Sequence, residues 1–578
     1  MNLKIGKSNG RTYLSIAHGY RDSQTGRVRT KTIKSLGYLD DLQKEFPDPI
    51  THFRKVVAEM NKKEADDNPP VIIKLDRKEL TGKQQGNRKN LGYTVLSKIY
   101  HELGLDTFFN NRSRGFKTEY NINSIMKLLV FSRILAPASK KNTFENKDLY
   151  FENFDFTLDD IYRCLTFINS QRDDLRLHLH RRIKEQYGRS TELVYYDVTN
   201  YYFEIDEADE LRKKGVSKEH RPNPIVQMGL FMDTMGLPIS YGLFPGNTND
   251  CETMIPLLAE MKRDYEIGRV IVVADKGMNT TRNITFNLIR GDGYVYSQTV
   301  RGGHKELKDY VLDGSDYRQM SDDYRIKSRL YPREIIVENI KGKKKKVRID
   351  EKQVVFYSRD YDKKAKAERE PALKKALDLV GNPGKYNRAT SYGAAKYVKN
   401  LQYDKATGEI VTTEQKPVFD EEKLREEEKF DGYYAIVTSE YKKTDEEIIE
   451  IYRGLWKIEE SFRVMKSDLE TRPVYLSREA HIQAHFLICF VALVIARILE
   501  HRLGGVYSVS RIAESLGKVC CSLLEENWYV FDYADEITKT VHEKLGIDLS
   551  RKYLRLGDIR KISGAAKKPD SPTTFCKN

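Results

Sequence analysis

Leu193-Val-Tyr-Tyr-Asp-Val-Thr199 is apolar and aromatic up to one acid. A run of this kind reads as a strand, here over 193–198, carrying Asp197 at its end. Val270-Ile-Val-Val-Ala-Asp-Lys-Gly277 repeats the pattern, with a strand expected over 269–274 and Asp275 just beyond it. Between them, 225–232 and 237–244 read as two more strands joined by Asp233-Thr-Met-Gly236, and 251–265 reads as a helix. The order strand, strand, strand, helix, strand predicts a mixed α/β sheet. If the first and fourth strands are parallel neighbours, both aspartates emerge at the carboxyl edge, where open sheets of this class bind ligands.

A third acid completes the pattern. Tyr452-Arg-Gly-Leu-Trp-Lys-Ile-Glu-Glu-Ser-Phe-Arg-Val-Met-Lys466 reads as one long amphipathic helix. Two turns take about 7.2 residues, so Tyr452, Glu459 and Lys466 form one stripe. Asp197, Asp275 and Glu459 together make an all-oxygen donor set suited to two Mg²⁺ ions, with Mn²⁺ as a substitute. Such a set activates water or a sugar hydroxyl against a phosphodiester. Tyr452 and Lys466 would then flank the metal position and hold neighbouring phosphates. Each of these residues taken singly reads as ordinary helix surface or partial core; only the constellation points to chemistry. Trp456 reads as a core indole first, and as a stacking platform for an extruded base second.

The 578 residues exceed one core. Lys and Arg number 99 against 85 Asp and Glu, an excess of 14 that favours a polyanionic partner. The six cysteines include no Cys-x-x-Cys pair, which excludes a zinc module or a disulfide framework and fits reduced thiols in the cytoplasm. The N-terminus carries no apolar signal segment. The most apolar stretch, 486–496, is well short of the roughly 20 residues of a bilayer span. It is expected as a buried core helix, and no membrane partner is expected.

Six segments are expected. Residues 1–90 form an N-terminal β-hairpin, turning at Asp22-Ser-Gln-Thr-Gly-Arg27, with a connector that contains Pro69-Pro70. Residues 91–190 are helical, with Arg112, Arg114, Lys117, Arg133, Lys140 and Lys141 as basic candidates for DNA contact or plain solvated surface. Residues 191–300 hold the first part of the catalytic core. Residues 301–430 are a β-rich insertion. Its Lys341-Gly-Lys-Lys-Lys-Lys346 reads as a solvated hairpin tip, with a phosphate contact as the second reading. Residues 431–515 bring the Glu459 helix, and 516–578 form a helical segment with a patternless, disordered final dozen residues.

The run from Tyr452 to Leu469 resembles the Tyr-x2-Arg-x3-Glu-x6-Lys signature of bacterial insertion-sequence transposases of the Asp-Asp-Glu type. Tyr-Tyr-Asp-Val-Thr-Asn around Asp197, Ala-Asp-Lys-Gly around Asp275 and Leu-Phe-Pro-Gly-Asn-Thr-Asn-Asp at 243–250 resemble the same group. The likeness covers about 190–500 and, more weakly, the N-terminal hairpin. It implies an RNase H-like core interrupted by a β-rich insertion. It further implies metal-dependent cleavage at element ends and joining of the freed 3′-hydroxyl to target DNA. The signature arginine falls on Leu455 and is not carried over; Arg453 or Arg463 would supply the phosphate contact instead. Partners would be double-stranded DNA, both element ends and target. Two ends must be brought together, so a homodimer on DNA is expected, in a bacterial cytoplasm.

Two rivals remain. His178-Leu-His180 fits a His-hydrophobic-His nuclease, but its surroundings read as a helix, which turns the two rings about 200° apart. The other rival is a non-catalytic DNA-binding protein derived from a transposase; retention of all three acids argues against it.

Overall fold

In a computed structural model the described residues are 1–8, 10–21, 28–66, 88–116, 118–218, 222–338, 343–388, 390–404, 409–411, 416–524, 527–573 and 575. The expected 22–27 turn, Pro69-Pro70, Lys117 and the Lys341-Gly342 start of the basic run lie outside them. The chain divides into two compact units, Met1–Lys83 and Gln84–Asn578.

In the first unit, β1 (Asn2–Ser8), β2 (Arg11–Arg21) and β3 (Val28–Tyr38) form an antiparallel sheet in that order. The expected hairpin is therefore three-stranded. Asn2–Ser8 alternates too weakly in hydrophobicity to announce itself, yet pairs along its whole length with β2. A helix, Pro49–Asp66, follows.

The second unit starts with β4 (Arg88–Asn90) and a helical region. Its helices are locally specified. Asn121 accepts from the Ser124 N–H to start Ile122–Leu135, and Thr157 with Asp160 forms a capping box for Leu158–Ser170. Arg172–Tyr187 is helical, as expected, so His178 and His180 do not share a face. Two of the basic residues read as DNA contacts or solvated surface are instead buried, Arg133 at 5% and Lys140 at 6% exposure.

Among the described residues, nine strands form one mixed sheet. They are β5 (Leu193–Tyr202), β6 (Ile225–Asp233), β7 (Pro238–Pro245), β8 (Ile271–Ala274), β9 (Gly293–Gln298), β10 (Arg318–Ser321), β11 (Tyr324–Glu338), β12 (Lys344–Ser358) and β15 (Tyr433–Thr438). Their order is β10-β11-β12-β15-β9-β8-β5-β6-β7. β5, β8 and β9 run parallel and the remaining neighbours antiparallel. The 301–430 stretch, expected as a β-rich insertion, supplies β10, β11 and β12. Its strands extend the central sheet, and a 23-residue helix, Arg359–Gly381, lies within it. β13 (Val398–Lys399) and β14 (Val418–Phe419) make a small separate pair.

The sheet has a core on each face. Tyr195 and Tyr201 of β5 and Val273 of β8 join the larger core, together with Glu479–Arg502. Val194, Tyr196 and Val198 face the other, against Asp250–Asp264. The apolar 486–496 stretch is the middle of the 24-residue helix Glu479–Arg502, longer than expected. By length and composition this helix is enough to cross a bilayer. In the fold it packs against Ile122–Leu135 and Leu158–Ser170, and everything from His481 to Leu499 is buried. Each large apolar side chain so covered contributes about 1.5–3 kcal/mol.

The C-terminal segment is not simply helical. β16 (Cys520–Leu523), β17 (Trp528–Phe531) and β18 (Tyr553–Arg555) pair with β4 from the start of the unit, in the order β18-β17-β16-β4. Of the final dozen residues, expected to be disordered, the described Asp570 and Phe575 are held by contacts. Asp570 pairs with Lys98 and Arg502, each at 2.7 Å, and Phe575 stacks on Tyr187.

Candidate active site

Register places the first two acids. The last rung of the parallel β5–β8 ladder is Tyr196↔Ala274, so the next residue in each strand is an aspartate, Asp197 and Asp275. The parity of β5 puts Asp197 on the face of Tyr195 and Tyr201; that of β8 puts Asp275 on the face of Val273. Both acids therefore share the face of the larger core. Asp197 is not at a strand end, as the sequence suggested, but in the middle of a ten-residue strand. β5 continues to Tyr202 because β6 goes on pairing with it after β8 has stopped.

The third acid arrives on a broken helix. A capping box of Thr444 and Glu447 starts Asp445–Arg453. The chain then tightens, with Leu455 donating to Tyr452 and Ile458 to Leu455 at 3.0 and 3.1 Å, three residues back in each case. Trp456–Arg463 follows, and Val464–Asp468 widens into a π turn. The 452–466 run is thus not the single regular helix expected, and its seven-residue stripe is not set by one ideal screw.

The run nevertheless tracks β5. Gly454 lies against Tyr195, and the Tyr201 hydroxyl is 3.7 Å from the sulfur of Met465. Lys466 Nζ stands 5.6 Å from the centre of the Tyr201 ring. Glu459 lies in the run between these contacts, and its charge reaches Asp197. Arg497, buried at 5% exposure, fixes this helix from behind through Glu460 at 3.1 Å and Ser461 at 2.9 Å. Arg133 does the same at its far end, donating to the carbonyls of Leu469 and Glu470 at 3.3 Å.

The charges act on one another. Burial pushes the half-buried Asp197 up to about 7, and the negative charges of Asp275 and Glu459 push the same way. Lys218 and the Val198 N–H, 2.7 Å from its Oδ1, oppose that rise. Asp275 accepts from the Gly277 N–H at 2.9 Å. Burial raises Asp250 as well, and the charge of Asp275 adds to it. Tyr452 hydrogen-bonds Tyr434 at 2.7 Å; burial, Tyr434 and the nearby charge of Asp275 hold its hydroxyl protonated.

Glu459 is exposed, and among the described residues no three His, Cys, Asp or Glu side chains close to metal-ligating distance. The donor set itself, all carboxylate oxygen on one sheet face, suits a hard divalent cation. Arg453 is exposed, 3.9 Å from Glu450 and 5.5 Å from the Tyr324 ring. Arg463 is exposed beside Glu460 and Asp468, at 3.8 and 3.9 Å. Leu455, at the place of the signature arginine, is buried. Trp456 is 56% exposed and is not the core indole expected. Starting a short helix just after the break, it falls outside the buried stripe of Ile458, Ser461 and Phe462. Lys218, Asp250 and Arg497 had no assigned role in the sequence; only the position of Asp250, closing the Leu-Phe-Pro-Gly-Asn-Thr-Asn-Asp motif, offered a signal.

Residues 207–495 match the family described as transposase DDE domain, a span that includes Asp275 and Glu459 and begins after Asp197. Residues 3–70 match the N-terminal domain of the IS1634 family transposase. No curated protein matches. Among solved structures, a piggyBac transposase synaptic complex with hairpin DNA is similar at 8% identity and a TM-score of 0.36, over 84% of this chain and 86% of that one. A Mos1 transposase paired-end complex with the left transposon end is similar at 14% identity and a TM-score of 0.13, over 28% of this chain and 56% of that one.

Proposed function

The chain belongs to the transposase DDE domain family, and from that membership we propose that it is a DNA transposase of an insertion sequence, cutting at the element ends and joining the 3′-hydroxyl to target DNA. The observation that carries the chemistry is the shared rung. Asp197 and Asp275 follow one backbone pair of the β5–β8 ladder, and the charge of Glu459 reaches Asp197 from the adjoining helix. We read the β7-β6-β5-β8-β9 part of the sheet as RNase H-like, with the first acid on its first strand and the second after its fourth.

Asp197, Asp275 and Glu459 would hold Mg²⁺, or Mn²⁺ in its place; when bound, the cations supply activation of the attacking oxygen and stabilisation of the leaving one. The protein's own part is positioning. The β5–β8 register fixes two carboxylates, Arg497 and Arg133 fix the helix of the third, and Glu459 swings its exposed side chain inward. Water attacks first, and the 3′-hydroxyl it frees attacks the target strand. Tyr452, Lys466, Arg453 and Arg463 would meet phosphates flanking the cut. A homodimer would bring two double-stranded ends together.

The test is cleavage of labelled element ends in Mg²⁺ or Mn²⁺. Asp197→Asn, Asp275→Asn and Glu459→Gln should each abolish cutting while end binding in EDTA persists. Cutting retained by one of them removes that residue from the site. End binding without any cutting by the parent protein leaves the non-catalytic, transposase-derived DNA-binding reading.

A further inference from the structure

After β5 the chain makes an excursion whose first described part, residues 203–218, is fixed closely to the sheet. Lys213 and Ile225 exchange backbone hydrogen bonds of 3.2 and 2.9 Å, and the Gly246 N–H donates to Leu211 at 3.2 Å. Asn200 of β5 donates its side-chain amide to the Val216 carbonyl at 3.1 Å. Two glycines allow the contact. A Cβ on Gly215 would stand 1.9 Å from the Gly246 carbonyl oxygen, and one on Gly246 would stand 2.2 Å from that of Ile225 and 2.3 Å from that of Lys213. No side chain fits at either place.

This clamp delivers Lys218. Its ammonium donates to the Val198 carbonyl, the peptide next to Asp197. It lies 3.8 Å from Asp250, the first residue of the Asp250–Asp264 helix, and its positive charge opposes the rise of Asp197. Lys218 therefore stands between Asp197 and Asp250, and its side chain keeps 44% of its exposure. An ammonium has three donors. Among the described residues one is committed to Val198 and a second is drawn toward Asp250 at 3.8 Å, which leaves the third. The surroundings also need it: Asp197, Asp275, Glu459 and Asp250 gather negative charge where a phosphodiester must come.

We propose that Lys218 is a backbone-phosphate-binding residue of the active site, holding the DNA strand beside the scissile bond, with Asp250 as its positioning partner. The proposal rests on the reading of the protein as a DNA-cutting transposase. It adds a contact from the β5–β6 excursion to those proposed for the Glu459 helix.

The experiment uses the full chain and a labelled duplex of the element's terminal sequence, with Ca²⁺ in place of Mg²⁺, titrated over a salt series. Lys218→Met should weaken binding evenly across end and unrelated sequences and make the log–log salt dependence shallower by about one. Lys218→Arg should restore the parent slope. Lys218→Gln is the second neutral variant, and melting temperature identifies the folded ones. A parent-like slope in either folded neutral variant overturns the proposal. Cleavage in Mg²⁺ is followed in parallel. A shallower slope with a parent that never cuts leaves Lys218 a phosphate contact and removes the catalytic reading. A parent that cuts with an unchanged variant slope removes Lys218 alone.

Discussion

The Tyr195 hydroxyl occupies the place a side chain on residue 454 would need: a Cβ there would lie 1.9 Å from that oxygen and 2.5 Å from the ring carbon bearing it. Glycine at 454 thus sets how closely the helix of Glu459 approaches the strand of Asp197. Gly454→Ala should push the two apart. An overpacking cost of about 1–3 kcal/mol is expected, read in a thermal melt, with a loss of cleavage larger than the loss of folded protein explains. Tyr195→Leu withdraws the ring tip, so Gly454→Ala with Tyr195→Leu should cut better than Gly454→Ala alone. Additive losses would show that this contact does not set the spacing.

Asp197 gives the site a pH dependence. In the folded chain its carboxyl is held up at about 7, against an ordinary 3.8. Between those values the folded state keeps a proton that the unfolded chain releases. Stability of the cation-free protein should therefore be fully present below the lower value and fall as pH rises to about 7, then level off. A divalent cation must displace that proton at low pH but not at high pH. The rise in melting temperature on adding Mg²⁺ should accordingly be larger at about pH 8 than at about pH 5.5. Asp197→Asn should flatten both trends.

The runs that announced the first two acids were readable because buried strands are continuous and apolar. Val270 to Ala274 is wholly buried, and its sequence is wholly apolar. The helix around Glu459 was readable as a helix but not as a broken one; the break falls where Gly454 lies against Tyr195, more than 250 positions earlier in the chain. Short strands hid for another reason. β4 and β18 have three residues each, too few to show a two-residue period, and they exist through partners far away in sequence. Lys218 was illegible because its meaning lies in a clamp of Gly215 against Gly246 about 30 positions away; only Gly246 belongs to a recognisable run, and that run says nothing of residue 218.

Two buried arginines should differ in what their loss costs. Arg189 and Asp233 pair at 2.8 Å with neither side chain exposed, and Asp233 also accepts from the Met235 and Leu237 N–H groups at 2.9 Å. Asp233→Asn leaves a fully buried guanidinium without its counter-charge. A loss of about 3–5 kcal/mol is expected in chemical denaturation. Arg497→Met leaves Glu460 and Glu500, which retain 24% and 17% exposure and can take up water. Its stability cost should be the smaller of the two, but its effect on cleavage the larger, because Arg497 braces the helix of Glu459. Equal stability losses would mean that Glu460 and Glu500 are not rehydrated.

Trp456 separates the two roles an aromatic can have. At 56% exposure it buries little, so Trp456→Ala should change stability by no more than about 0.5 kcal/mol. It sits three residues before Glu459, about one helical turn from the acid. If it stacks on an extruded base, the substitution should weaken binding of cleaved or mispaired ends by about 1–3 kcal/mol, the range of one base–aromatic stack. Fully paired duplex away from the ends should bind unchanged. The chain has two tryptophans, Trp456 and Trp528. Trp528→Phe therefore leaves one reporter at the site, whose fluorescence should be quenched by end DNA and not by unrelated duplex. Equal quenching by both would assign Trp456 to general phosphate-side contact, because only a base drawn out of the stack at the cut is specific to an end.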